Sequence, residues 1–239
     1  MRPAALALIL LAPALQADGL TDLRAALKNL AGTQAVKATV DCQVWNRSGE
    51  GKKAKVSQGR AQARVEDGPS GLKLGWDKAA LDRVEAAAKA KDKGPKQAMD
   101  ALSAEKARDL LDAAKDLLGD LDGAEVLEDR ADSWQGRPAR LLSFKLDGKD
   151  MDEDDRKHLK SFSHTLKVWM GADGAPLGLS EQLDMKMSVM FISVEVHHKA
   201  ARTFLRSGDR LVTVHDESED SGSGAGEHGE QKTVMDLKL

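Results

Sequence analysis

Ser163-His-Thr-Leu-Lys-Val-Trp-Met170, followed by Gly171-Ala-Asp-Gly-Ala-Pro176, is the stretch whose reading decides the fold. Leu166, Val168 and Met170 alternate with Thr165, Lys167 and Trp169, the period of two that sends successive side chains to opposite faces of a strand. Asp173-Gly174 predicts a tight hairpin turn, because both central positions of the favoured turn need positive φ. Leu177 and Leu179 then return the chain, and a second turn at Ser207-Gly208-Asp209 leads into Leu211 to Val214. Strands joined in this way form an antiparallel meander whose two faces can differ in polarity.

Working toward the N-terminus, the same alternation recurs. Val36, Ala38, Val40, Cys42 and Val44 share one face, and Asn46 to Lys53 is a polar tip. On the next strand Arg60, Gln62, Arg64 and Glu66 form a wet face, while Gly59, Ala61, Ala63 and Val65 form an apolar face of small residues. Small residues let another body approach the sheet closely, either a helix or a ligand. Leu72, Leu74 and Trp76 mark a third short strand. Before all of these, Leu20, Leu23, Leu27 and Leu30 at three-and-four spacing predict an amphipathic helix, with Thr21 placed to cap it and Gly32 to stop it.

Residues 77–118 interrupt the strands with helical sequence. Asp77 is placed to cap Lys78 to Ala90, whose Leu81, Val84 and Ala88 lie on one side. Gly94-Pro95 breaks the pattern, and Ser103 caps Ala104 to Leu118 with the stripe Leu110, Leu111, Ala114, Leu117 and Leu118. The expectation is a helical hairpin packed on the sheet. Strands resume over Ala124 to Ala131 and Arg140 to Leu146, joined by the turn Asp132 to Pro138. A short helix is expected where the acids Asp150 to Asp155 precede the bases of Arg156 to Lys160, the charge order that a helix dipole favours.

From Leu177 to Leu205 the apolar run exceeds an ordinary strand. Its phase changes near Ser188, where a turn or bulge is expected, with a further break near Ala200-Ala201. Asp216 to Gly229 is polar and contains Ser-Gly-Ser-Gly-Ala-Gly, which predicts a flexible loop. Thr233, Met235, Leu237 and Leu239 predict a last strand.

Composition excludes some functions. The 239 residues carry 36 basic and 39 acidic side chains for a net charge of −3, with no Tyr and 3% aromatics. Mixed charge and few rings give neither the basic face nor the stacking platforms of a nucleic-acid binder. Met1 to Ala17 has the single base Arg2, an apolar run from Ala4 to Leu15 and a small residue at its end. This is the pattern of a secretory signal cut after Ala17. The run is shorter than the ~20 residues of a membrane span. The mature chain is therefore expected to be periplasmic, with no transmembrane segment and no lipid anchor, because the residue directly after the cut is Asp18 and not a Cys. Cys42, the only cysteine, reads as a small buried hydrophobe rather than a reactive thiol.

Catalytic and cofactor motifs do not survive their context. Gly224, Gly226 and Gly229 match G-x-G-x-x-G without the strand before and helix after that the dinucleotide site needs. Asp150, Asp152 and Asp154 open like a calcium loop, but Asp155 stands where Gly is required and Ser161 where Glu is required. His197 and His198 are adjacent, so on a strand they face opposite ways and cannot chelate one metal together. The reading is a non-catalytic protein with no cofactor.

The order of elements, a leucine-striped first helix, long antiparallel strands, a helical insertion after the third strand and the Leu166-Lys-Val-Trp-Met-Gly-Ala-Asp-Gly-Ala-Pro-Leu177 hairpin, resembles the periplasmic lipoprotein-carrier and lipoprotein-receptor half-barrels, LolA and LolB. It is also similar to related envelope-sensor and lipid-binding proteins. The resemblance implies an α+β fold in which a strongly curved antiparallel sheet is closed on its concave side by the helical hairpin and the N-terminal helix. It further implies an apolar cavity for an acyl chain, lipid or lipoprotein. The expected lining is Gly59, Ala61, Ala63 and Val65 from the sheet, Leu81, Leu110 and Leu117 from the helices, and Met185, Met187 and Met190 as adaptable walls. The alternative is a structural or sensor protein with a filled core, which binds another envelope protein through strand edges or the Gly/Ser loop.

Overall fold

The computed structural model describes residues 18–148, 151, 153–189 and 192–239. The expected secretory segment 1–17, Asp150, Asp152 and Met190 lie outside these residues.

Helix α1 (Gly19–Asn29) leads into β1 (Val36–Ser48), β2 (Lys55–Asp67) and β3 (Lys73–Trp76). Four helices follow, α2 (Lys78–Lys89), α3 (Gly94–Ala101), α4 (Ala104–Leu111) and α5 (Ala113–Asp120). Then come β4 (Glu125–Trp134), β5 (Arg137–Lys145), α6 (Glu153–His158), β6 (Leu159–Met170), β7 (Pro176–Val189), β8 (Ile192–Ser207), β9 (Arg210–Gly224) and β10 (Glu227–Lys238). The strands form one open antiparallel sheet in the order β3-β2-β1-β10-β9-β8-β7-β6-β5-β4. The chain is thus α+β, and the first and last long strands, β1 and β10, meet in its interior.

The helices pack on one face of this sheet: α3 against β1 and β2, α4 against β9, β2 and β3, α5 against β9, and α1 against α5 and β7. Two apolar clusters result. Val40, Cys42, Val44, Ala61, Ala63, Met235 and Leu237 meet Ala98, Leu102, Ala107, Leu110 and Leu111 in one. Leu23, Leu27, Leu117, Phe144, Leu166, Val168, Leu179 and Leu211 make the other. The expected hairpin of two helices is four shorter ones. Pro95 sits at the start of α3, where its missing N–H is harmless, so Gly94-Pro95 begins a helix as well as ending one. The stripe from Ala104 to Leu118 breaks at Asp112, which lies between α4 and α5 with non-helical φ and ψ. That break sends Leu110 into one cluster and Leu117 into the other.

Other expectations are corrected. Asp18, not Thr21, caps α1 by accepting from the Leu20 N–H, and Thr21 Oγ1 donates to Asp18. Around Asp173-Gly174 only Gly174 has positive φ, and Gly171 N–H bonds the Ala175 carbonyl, so the turn is longer than two residues. The strand β8 runs through Ala200-Ala201 unbroken and shifts register between Thr203 and Phe204 instead. The phase change near Ser188 does mark an end, since β7 stops at Val189 and β8 returns against it.

The largest correction concerns Asp216 to Gly229. It is no flexible loop but the outer halves of β9 and β10, turning only at Ala225 and Gly226, both at positive φ. Gly and Ser have poor strand propensity, but β8 and β10 flank β9 and supply hydrogen-bond partners on both sides. Tertiary context overrides propensity here.

Candidate functional site

Because side chains two apart share a face, the register sorts the helix-bearing face into rows running across the sheet. One row is Val168, Leu179, Arg202, Asp216, Met235, Cys42 and Ala61. The next outward is Leu166, Glu181, Ala200, Ser218, Thr233, Val44 and Gly59, then His164, Leu183, His198, Asp220, Gln231, Asn46 and Ser57. Beyond these lies Phe162, Met185, Val196, Gly222, Gly229, Ser48 and Lys55.

The inner rows are filled. A Cβ built on Gly59 would stand 1.8 Å from the Gly94 carbonyl oxygen, so the start of α3 touches the backbone of β2. Ala61, Ala63 and Val65 are buried in the same cluster as Leu110, which is 1% exposed. The small residues admit a helix, and the side chains of Ala61, Ala63 and Val65 are buried. Leu117 is buried in the other cluster, and Leu81 is 50% exposed on α2, whose one fully buried residue is Ala80. Of the expected lining, only Met185 and Met187 lie beyond the rows that α1, α3, α4 and α5 cover, on a strand that α6 neighbours.

A charged seam runs through the inner rows and reaches His164 in the third. Arg202 Nη1 donates to Asp116 at 2.6 Å, and Lys106 Nζ pairs with the buried Asp216 at 2.6 Å. His164 Nε2 meets Glu181 at 2.7 Å. Burial opposes the Arg202 charge, but Asp216 and Asp116 outweigh it and hold its pKa above the usual value. Burial likewise acts to raise Glu181, yet the His164 hydrogen bond and Arg202 keep its carboxyl below the usual range. For Asp120 the balance goes the other way: burial and then Asp116 push it up to about 6, against a weaker pull from Arg202 and His164. These pairs tie α4 and α5 to the sheet. Sequence reading missed them because Arg202 carries the same strand phase as buried Ala200 and Phe204, and only its partners distinguish it from a wet residue. Burial also pushes the Cys42 thiol up to about 12, which suits a packed hydrophobe rather than a nucleophile.

The outer rows are open. Phe162, Leu183, Met185, Met187, Val194 and Val196 are each half-buried, and Ile192 is exposed. Side chains give way to glycine along the same row. A Cβ on Gly229 would meet no atom within 4 Å, and one on Gly222 only the Glu195 carbonyl at 3.4 Å. Over these glycines, between β1, β2, β9 and β10 and the α2–α3 connection, lies a groove of about 940 Å³. Asn46, Ser57, Gln97, Gln231, Lys91 and Lys93 are among its walls. Ser57 Oγ donates to Gln97 Oε1 at 2.7 Å, while Asn46 Nδ2 is buried without a partner. Lys91 takes φ of 59°, a left-handed conformation that disfavours side chains by on the order of 1 kcal/mol.

His197 and His198 do face opposite ways, each through Nδ1, to Asp184 at 2.6 Å and Asp220 at 2.7 Å. Among the described residues no group of His, Cys, Asp and Glu is arranged to hold a metal ion, and no helix is long and apolar enough to cross a membrane. Comparison of the chain with protein-family models, curated proteins and solved structures returned no match.

Proposed function

We propose that this is a non-catalytic envelope protein that holds an acyl chain on the outer part of the sheet, in a half-barrel arrangement like that of LolA and LolB. The observation that carries the reading is the apolar surface of Phe162, Leu183, Met185, Met187, Val194 and Val196, contributed by β6, β7 and β8 beyond the packed core. Methionine suits such a surface because its flexible thioether adapts to irregular apolar shapes. Covering about eight methylenes at about 0.8 kcal/mol each contributes roughly 6 kcal/mol. That corresponds to tens of micromolar before the loss of chain freedom is subtracted. Export by the secretory pattern at residues 1–17 belongs to the same proposal.

The test is displacement of a fluorescent long-chain fatty acid, with mass spectrometry of the organic phase from natively purified protein. Saturable binding that Met185→Asp abolishes and Leu81→Ser leaves unchanged supports the reading. Binding that is absent, or indifferent to Met185, overturns it.

A second reading, docking of another protein along a strand edge, rests on β4. It is an edge strand, mostly exposed, with Leu127 50% exposed. The final strand does not serve this role, because β10 is paired on both sides. Proline at Leu127 would disturb the edge. Unchanged envelope crosslinks from that variant would remove this second reading.

A further inference from the structure

The groove over Gly222 and Gly229 continues the row that carries Phe162, Met185 and Val196, yet most of the side chains around it are polar or charged. A ligand that follows this row therefore passes from an apolar to a polar surface, as an amphiphile does. The charges of the groove decide the sign of its head. Every acid at the rim is engaged: Asp92 accepts from Gly94 N–H at 2.9 Å, Asp220 meets His198 at 2.7 Å, and Glu230 meets His228 at 3.2 Å and Arg47 at 3.6 Å. By contrast Lys55, Lys91 and Lys93, all at the same groove, form no ion pair among the described residues. Asn46 Nδ2 adds a buried donor with no acceptor. Such a donor is costly to leave unmet. Lys91 occupies a left-handed position just past α2, where glycine is the unstrained residue.

We infer that the ligand is a single-chain amphiphile with an anionic oxygen head, a carboxylate or a phosphate monoester. The head lies over Gly222 and Gly229 among Asn46, Lys91 and Lys93, and the tail lies along Val196, Met185 and Phe162. This inference rests on the acyl-binding reading above. The glycines serve the site by leaving room for the head against the backbone, and the lysines by neutralising it as water is excluded.

Titration calorimetry with dodecyl phosphate, dodecyltrimethylammonium and inorganic phosphate, each below any micellar concentration, separates the possibilities. The native protein binds dodecyl phosphate at least tenfold more tightly than the cation and shows no measurable affinity for inorganic phosphate. Equal affinity for the two amphiphiles overturns the anionic head and leaves the acyl reading standing. Absence of binding by both overturns both readings, and equally tight binding of inorganic phosphate removes the tail from the site. Lys91→Gly together with Lys93→Gln lowers the affinity for dodecyl phosphate at least fivefold while the Tm is unchanged or higher, because Lys91→Gly relieves the backbone. A variant that keeps its full preference for phosphate overturns the role of these lysines. Gly229→Trp places a large side chain in the groove from a position where a Cβ meets no atom within 4 Å, and it weakens dodecyl phosphate binding at least tenfold in a folded protein. Unaltered binding by that variant places the head elsewhere.

Discussion

Two glycines on one face of one sheet, Gly59 and Gly229, sit in opposite surroundings. Gly59 lies on β2, two strands from β10 and two residues inside the row of Ser57 and Asn46, with the backbone of α3 pressed against it. Gly229 lies one row beyond Asn46 and faces open space. Both are strand glycines with unstrained φ, so the backbone demands neither of them. The inner glycine exists to let a helix touch the sheet, and the outer one leaves a groove. Close packing makes the first position intolerant of any added atom. The difference teaches that a small-residue face means burial only where something else in the chain has the shape to cover it.

The sharpest way to break this comparison is to give both positions the same side chain. Gly59→Val is expected to destabilise by about 3 kcal/mol or more, since the clash is with backbone that cannot turn aside. Gly229→Val is expected to stay within about 0.5 kcal/mol. Urea denaturation measures both, and equal losses would erase the distinction between closed and open halves. A second pair probes the helices. Leu110→Ala, at a fully buried position, should lose about 3 kcal/mol. Leu81→Ala, half in water, should change stability by less than about 0.5 kcal/mol.

The seam between the halves supplies a pH test. Asp120 is raised from 3.8 to about 6 in the folded protein, so the folded state holds its proton more tightly than the unfolded chain does. Its unfavourable contribution is absent below pH 3.8, grows between 3.8 and about 6, and is full above that. Asp120→Asn should therefore stabilise by roughly 1 kcal/mol at pH 8, after discount for its partial exposure, and by nothing at pH 3.5. Thermal melts at the two values check it. A further small effect on stability sharpens the outer half: Met185→Ser, on open sheet, should shift the folding free energy by less than about 1 kcal/mol. The same change should clearly weaken fatty-acid binding.

Alternation alone was enough to read β1, β2, β6 and the end of β10, because their inner residues are apolar and their outer ones mostly polar. Caps read correctly where a side chain had one backbone N–H within reach, as Asp77 does on Ala80 and Ser103 on Lys106. The outer half of β9 was illegible, since Ser and Gly there owe their strand conformation to neighbours on both sides. Met185 and Met187 were found as candidates by residue type, yet nothing local separates them from Leu110, which is core.

What the sequence by itself determined is therefore the set of strand faces, the helix starts and the balance of charge, all of which depend on residues a few positions apart. The tertiary structure decided which apolar face was covered and which stayed open. It also turned a Gly/Ser-rich segment into two paired strands and gathered Arg202, Asp116, Asp216 and Lys106 from four separate elements. Those outcomes depend on backbone approach and pairing between segments far apart in the chain, and coverage of a surface is a property of the body that meets it, not of the surface alone.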